Sequence, residues 1–132
     1  MFAALAVLLV LLVPALALAK VKRGTYIEVK TQTYIVTNVA ATKIKSLNIS
    51  CIRNGQQSGG NVITKALRIT AGKFSFDGKS TLHGFGNSVI KIKVTGTFAK
   101  GKITGTVAYL DAPAPCTNRS YSAKYYGVNP QG

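Results

Sequence analysis

This chain of 132 residues has few candidates for acid–base or nucleophilic chemistry. They are three acids, one histidine and two cysteines: Glu28, Asp77, Asp111, His83, Cys51 and Cys116. Hydrolysis by paired carboxylates would need two of the three acids within mutual reach. Asp77 precedes Gly78, a pair typical of hairpin turns, and Asp111 precedes a proline-rich connection. Both acids are therefore assigned to turns, which leaves Glu28 without a carboxylate partner.

A nucleophile would need His83 as its base, with an acid behind it. The chain has no Gly-x-Ser-x-Gly segment and no glycine-rich phosphate-binding motif, and His83 alternates with Thr81 and Phe85 on a predicted strand. Two thiols and one histidine also fall short of the four ligands of a structural zinc site. We therefore predict a protein that is not an enzyme and has no cofactor or metal, with a hydrolase as the weakest alternative.

Lysines are the remaining candidate site. The chain has 17 Lys and Arg against 3 acids, a formal charge of +14. Such a charge attracts polyanions in a salt-dependent way, although it also fits a self-repelling surface without a dedicated partner. Threonines, rather than stacking aromatics, alternate with these lysines, so specific nucleic-acid binding is not expected. The candidate polyanion-binding residues are Lys91, Lys93, Lys100, Lys102, Lys43 and Lys45.

Four of these lysines belong to a segment, residues 88–110, that reads as one β-hairpin. With Lys100-Gly101 at the turn, Phe98 faces Ile103 and Gly96 faces Gly105. The apolar residues of both arms then share one face and the lysines and threonines the other, so a slip of one residue would bury lysines. The two facing glycines are expected to make room for an aromatic ring.

The rest of the chain after residue 19 alternates in the same way, without the spacing of an amphipathic helix. Residues 43–52 are predicted as a strand whose Leu47, Ile49 and Cys51 point into the core, and residues 53–60 as a loop. We predict a single all-β domain over residues 20–132, an antiparallel β-sandwich or flattened barrel of about eight to nine short strands. The other predicted strands cover residues 24–30, 33–39, 62–70, 72–76, 80–85 and 121–126.

The first 19 residues carry no charge and end in Ala17-Leu18-Ala19. This composition indicates an N-terminal signal helix that is cleaved before Lys20. A retained membrane anchor is the alternative, since 19 apolar residues also suffice to span a bilayer. Both interpretations place the domain outside the cytoplasm, secreted or anchored, and membrane contact is expected only through residues 1–19 if they are uncleaved. In an oxidising compartment, a Cys51–Cys116 disulfide is the default.

Several short motifs resemble a loose group of small secreted bacterial all-β proteins of unknown function. They are G-T-Y at residues 24–26, G-K-F-S at 72–75, G-T-F and G-K-I-T-G-T-V at 96–107, and C-T-N-R-S-Y-S-A at 116–123. Members of the group tend to have tryptophan where this chain has Tyr121. The resemblance implies a signal peptide, an all-β fold and a cysteine bridge, and it supplies no catalytic residue.

The expected function is an exported domain that associates with anionic polysaccharide or another anionic cell-envelope or extracellular polymer through its lysines. The alternative is a protein-binding module, an inhibitor or adhesin-like element, acting through the loop at residues 53–60 and the proline-rich connection. Nothing in the sequence indicates the oligomeric state.

Overall fold

The computed structural model describes residues 21–84, 86–111 and 114–128. The predicted signal helix lies outside these residues. Within them the chain forms nine strands and no helix, and so no helix that could cross a membrane. The strands are β1 (Thr25–Glu28), β2 (Thr33–Thr37), β3 (Lys43–Arg53), β4 (Gln56–Ile63), β5 (Leu67–Arg68), β6 (Lys73–His83), β7 (Ser88–Ala99), β8 (Lys102–Tyr109) and β9 (Arg119–Gly127).

The strands form one antiparallel sheet in the order β2-β1-β9-β8-β7-β6-β4-β3-β5, and β2 also pairs with β3. Eight strands therefore make a continuous circuit of hydrogen-bonded neighbours, with the short β5 attached beside β3. The predicted all-β antiparallel fold and its strand number are confirmed. The nine strands are joined in one sheet and are not divided between two.

The β7–β8 hairpin has the register that the sequence predicts. Ile92 pairs with Tyr109, and Phe98 with Ile103. Lys100 and Gly101 both have positive φ, 51° and 75°, as a type I′ turn requires. The apolar residues on the inner face of both strands are buried and form part of the core, whereas Val89, on the outer face, is exposed.

Aromatic rings fill the space left by the facing glycines. A Cβ at Gly96 would lie 2.2 Å from a ring atom of Phe74 and 2.8 Å from the Tyr121 hydroxyl. Tyr121 is the cross-strand partner of Gly105 and donates a 2.6 Å hydrogen bond to the Thr95 carbonyl. The two glycines thus allow rings to pack directly on the hairpin backbone.

Two turn predictions were wrong. Residues 53–60 are not a loop, because Asn54-Gly55 forms a tight turn and β4 begins at Gln56. Asp77-Gly78 is not a turn, because β6 continues through it and pairs Asp77 with Lys93. Long pairing with β7 outweighs the local turn preference there, since it satisfies the backbone groups of the whole strand.

The Cys51–Cys116 disulfide is present, with a sulfur–sulfur distance of 2.02 Å. Cys51, Leu47 and Ile49 are all buried, as the alternation in β3 predicted. The bridge ties the middle of the chain to the segment that leads into β9. A disulfide is consistent with an extracytoplasmic location.

Candidate functional site

The antiparallel strand directions collect five separate parts of the chain at one end of the sheet. They are the segment before β1 (residues 21–24), the β2–β3 connection (38–42), the β4–β6 connection (64–72), the β7–β8 turn (100–101) and the exit from β9 (127–128). Backbone hydrogen bonds from N–H to carbonyl link these parts: Thr37 to Gly24, Ile69 to Thr42, Phe98 to Gly72 and Tyr125 to Gly101. We call this the basic end, because lysines and arginines are concentrated there.

Ten of the 16 lysines and arginines in the described part of the chain lie at the basic end or on the strand residues next to it. They are Lys22, Arg23, Lys43, Lys45, Lys65, Arg68, Lys73, Lys100, Lys102 and Lys124. None of the three acids is there: Glu28 ends β1 at the opposite end, Asp77 lies within β6, and Asp111 follows the opposite end of β8. The charge of this protein is therefore polarised along the sheet.

Cross-strand pairing brings several of these cations side by side. Lys102 is the direct partner of Lys124, and Lys43 is the direct partner of Arg68. Like charges opposite each other in a sheet destabilise it. Such pairs therefore favour the binding of an anion, which reduces the repulsion between the two cations.

At least three cavities open at the basic end between the described side chains, and the largest of the three, about 550 Å³, lies beside Arg68 and Lys73. Another, of about 210 Å³, is lined by Lys22, Lys100 and Lys102 together with Tyr26 and Phe98. The Lys22 ammonium also lies 4.4 Å from the centre of the Tyr125 ring, a cation–π contact that holds it in place. These three lysines thus share one recess with two aromatic residues.

The third cavity, of about 250 Å³, is shared by Arg23 and Lys45, with Thr25, Val36 and Ser46 among its other lining residues. Since Thr25, Val36 and Ser46 are neighbours on β1, β2 and β3, this cavity follows the outer face of the sheet. The basic end therefore combines recesses with clustered positive charge.

The six predicted lysines fall into two groups. Lys43, Lys45, Lys100 and Lys102 belong to the basic end. Lys91 and Lys93 lie on the outer face of β6 and β7, where Lys91 is the direct partner of Lys79 and Lys93 that of Asp77. Asp111 also reaches this group, since its carboxylate accepts a 2.8 Å hydrogen bond from the Lys91 N–H. We call Lys79, Lys91 and Lys93 the middle group.

Six cations of the basic end were missed by the sequence analysis, namely Lys22, Arg23, Lys65, Arg68, Lys73 and Lys124. Most of them lie in or beside the connections between strands. There, the alternation of inward and outward side chains along a strand does not predict which way a side chain points. Only the pairing of strands shows that these connections share an end. The sequence also indicates this polarity within residues 20–28, where Lys20, Lys22 and Arg23 precede the first strand and Glu28 lies at its end.

The residues considered for acid–base chemistry are scattered. Asp77 and His83 lie on β6, and Asp111 lies beyond β8. Glu28 accepts hydrogen bonds from the Ser122 N–H, at 2.5 Å, and from the Thr31 hydroxyl. Within residues 21–84, 86–111 and 114–128, no three His, Cys, Asp or Glu side chains are grouped as metal ligands.

A buried polar cluster near Glu28 was also unforeseen. Arg119 points inward and donates from Nη2 to the Thr33 hydroxyl at 3.2 Å, while its buried Nε and Nη1 have no hydrogen-bond partner in the described part of the chain. Burial raises the pKa of the Tyr121 hydroxyl, and the nearby Glu28 carboxylate raises it further, against an opposing effect of Arg119. This cluster lies at the opposite end of the sheet from the basic end.

Comparisons of the chain with protein-family models, with curated proteins and with solved structures gave no match.

Proposed function

We propose that this protein is an exported β-domain that binds an anionic polymer of the cell envelope or the extracellular space through its basic end. The observation that carries the proposal is the polarised charge: ten cations and no acid gather at one end of a sheet that is otherwise rich in threonine and serine.

The recesses at the basic end suit a polymer with regularly spaced anionic groups. Lysine ammonium groups bind phosphate, sulfate or carboxylate as point charges, without the fixed geometry of a bidentate arginine contact. A chain of such groups that neutralises several lysines at once releases the counterions held along the polymer, and this release drives binding. We therefore expect the affinity to fall steeply as the salt concentration rises.

The test compares two triple variants that change the total charge by the same amount. Lys22→Glu/Lys100→Glu/Lys102→Glu reverses three charges of the basic end, and Lys79→Glu/Lys91→Glu/Lys93→Glu reverses the middle group. A lysine near an anionic surface contributes about 1 kcal/mol. The basic-end variant should therefore bind heparin and teichoic acid at least about 100-fold more weakly than wild type, and the middle-group variant should lose much less.

Binding is measured by titration calorimetry at low salt and again at high salt, and circular dichroism verifies that both variants are folded. Equal losses in the two variants would show that only total charge matters, which overturns the assignment to the basic end. Absence of binding to either polymer at low salt, or binding that is insensitive to salt, overturns the proposed function itself.

A further inference from the structure

Separate from the cavities of the basic end, a groove lies on the outer face of β2, β3 and β4, toward the opposite end of the sheet. Its volume is about 410 Å³, within the size range of small-ligand pockets. None of the described lysines, arginines or acids lines this groove, although His83 does. Its lining side chains include Tyr34, Asn48 and Gln57.

The groove follows from two cross-strand rows. In the first row, Tyr34 pairs with Asn48 and Asn48 with Val62, so these three side chains form one wall. In the second row, Gly60 lies between Ser50 and His83. Because Gly60 has no side chain, none projects from the middle of the second row.

Close strand packing requires glycine at this place. A Cβ at Gly59 would lie 1.9 Å from the His83 carbonyl oxygen, and a Cβ at Gly60 would lie 2.6 Å from that of Ile49. Any larger residue would therefore clash with backbone. The depression is thus a fixed feature of the fold.

The floor of the groove is an ordered polar network. Ser50 is only 6% exposed. Its hydroxyl donates to the Gln32 carbonyl at 3.2 Å and accepts from the Gln57 amide at 3.0 Å. Ser50 thereby holds the Gln57 amide group over the floor. Asn48 presents a second amide from the wall, beside the Tyr34 ring, which is 38% exposed.

A partly exposed aromatic ring beside two amides, without formal charge, fits a ligand that has an apolar ring face and several hydroxyl groups. The ring face can stack on tyrosine, and amides both donate and accept hydrogen bonds. An anionic ligand would find no lysine or arginine among these lining residues, and an apolar one would leave the amides unsatisfied. A neutral pyranose sugar meets both conditions.

We propose that this groove binds an uncharged sugar unit, with Tyr34 stacking on one face of the pyranose ring and Asn48 and Gln57 hydrogen-bonding its hydroxyl groups. This site is separate from the basic end and does not depend on the proposed polymer binding.

The test is a titration of the full domain with β-1,4-linked tetramers of glucose and of N-acetylglucosamine, followed by amide NMR shifts. High salt suppresses binding at the basic end, so that only the neutral site is measured. At least one tetramer should shift the amides of β2, β3 and β4 around the groove. Tyr34→Ala should weaken that affinity about tenfold, whereas Tyr34→Phe should retain it, since stacking needs only the ring.

Tyr126→Ala is the matched control, because Tyr126 is 78% exposed and lies outside the groove. Gln57→Ala is a second test, which leaves the Tyr34 ring in place, and it should also weaken sugar binding. The proposal is overturned if neither sugar shifts the groove amides at millimolar concentration, or if Tyr34→Ala and Tyr126→Ala weaken binding equally. An uncharged blocked tetrapeptide that shifts these amides when the sugars do not would overturn it in favour of a protein partner.

Discussion

At the scale of single residues, Tyr121 connects the core with the β7–β8 hairpin. Its hydroxyl lies against the facing glycines and donates a hydrogen bond to the Thr95 carbonyl. Burial raises the pKa of Tyr121 above the ordinary value, and burial also raises the pKa of Tyr26 and of Tyr109. Three core tyrosines therefore stay protonated in the folded protein at a pH at which the unfolded chain ionises.

The consequence is a loss of stability in alkali. The contribution of these groups is fully present below the tyrosine pKa of the unfolded chain, about 10, and is lost as the pH rises through the higher values of the folded state. Tyr121→Phe should lower the free energy of unfolding by about 1 kcal/mol at neutral pH, because it removes the hydrogen bond to Thr95. Above about pH 10 its stability should fall less steeply than that of wild type, so the two curves converge.

Urea unfolding between neutral pH and about pH 11 measures both effects. The control Tyr126→Phe removes an exposed hydroxyl and should have the neutral-pH stability of wild type. Parallel pH profiles for wild type and Tyr121→Phe would show that the buried hydroxyl does not contribute to the alkaline loss.

At the scale of structural elements, two hairpins of this chain use the same turn with different first residues. Asn54-Gly55 and Lys100-Gly101 both have φ values of 51° and 75°. Asparagine tolerates the left-handed conformation better than lysine does. The β7–β8 turn thus retains a residue that is unfavourable for folding but adds a positive charge to the basic end.

Lys100→Asn separates these two effects. It should stabilise the protein by about 0.5 kcal/mol, since it relieves the left-handed lysine. It should also weaken polymer binding, because it removes a charge from the basic end. Thermal unfolding and the calorimetric titration measure the two outcomes on the same sample.

The reciprocal variant Asn54→Lys is the control for both. It should destabilise the β3–β4 hairpin by a similar amount and leave polymer affinity nearly unchanged, since the new charge is at the opposite end. If Asn54→Lys strengthened polymer binding as much as Lys100→Asn weakened it, only the total charge would matter, and a role for the position of Lys100 would be contradicted.

At the scale of the whole molecule, the disulfide and the basic end lie at opposite ends of the sheet. Cys51 is near the end of β3, and Cys116 precedes β9, while the basic end includes the start of β3 and the exit of β9. The bridge is therefore expected to serve folding and to leave the binding surface unaffected.

Cys51→Ala/Cys116→Ala should lower the free energy of unfolding by about 4 kcal/mol, the chain-entropy value for a bridge between residues 65 apart. The polymer affinity of the folded variant should match that of wild type. Denaturant unfolding gives the first quantity, and titration at a temperature where the variant is folded gives the second. A large loss of affinity in a folded variant would show that the two ends are coupled.

The sequence by itself determined the local structure of this protein: the all-β class, the register of the β7–β8 hairpin, the inward face of β3 and the glycines under an aromatic ring. These features follow from side-chain alternation and turn chemistry, which act over a few residues. The same local reasoning failed at residues 53–60 and at Asp77-Gly78, where pairing with a partner strand outweighed turn preference. The cysteine pair was also predictable, since the chain has only two.

Only the tertiary structure decided which strands are neighbours, that β2 also pairs with β3, and where the charges lie. Because successive antiparallel strands run in opposite directions, every second connection lies at the same end of the sheet. Cations as far apart in sequence as Lys22, Lys65 and Lys124 are therefore brought to one end. The groove on β2, β3 and β4 likewise exists only because Gly60 on β4 is placed between Ser50 on β3 and His83 on β6. Both candidate sites are products of strand order, which alternation along one strand does not specify.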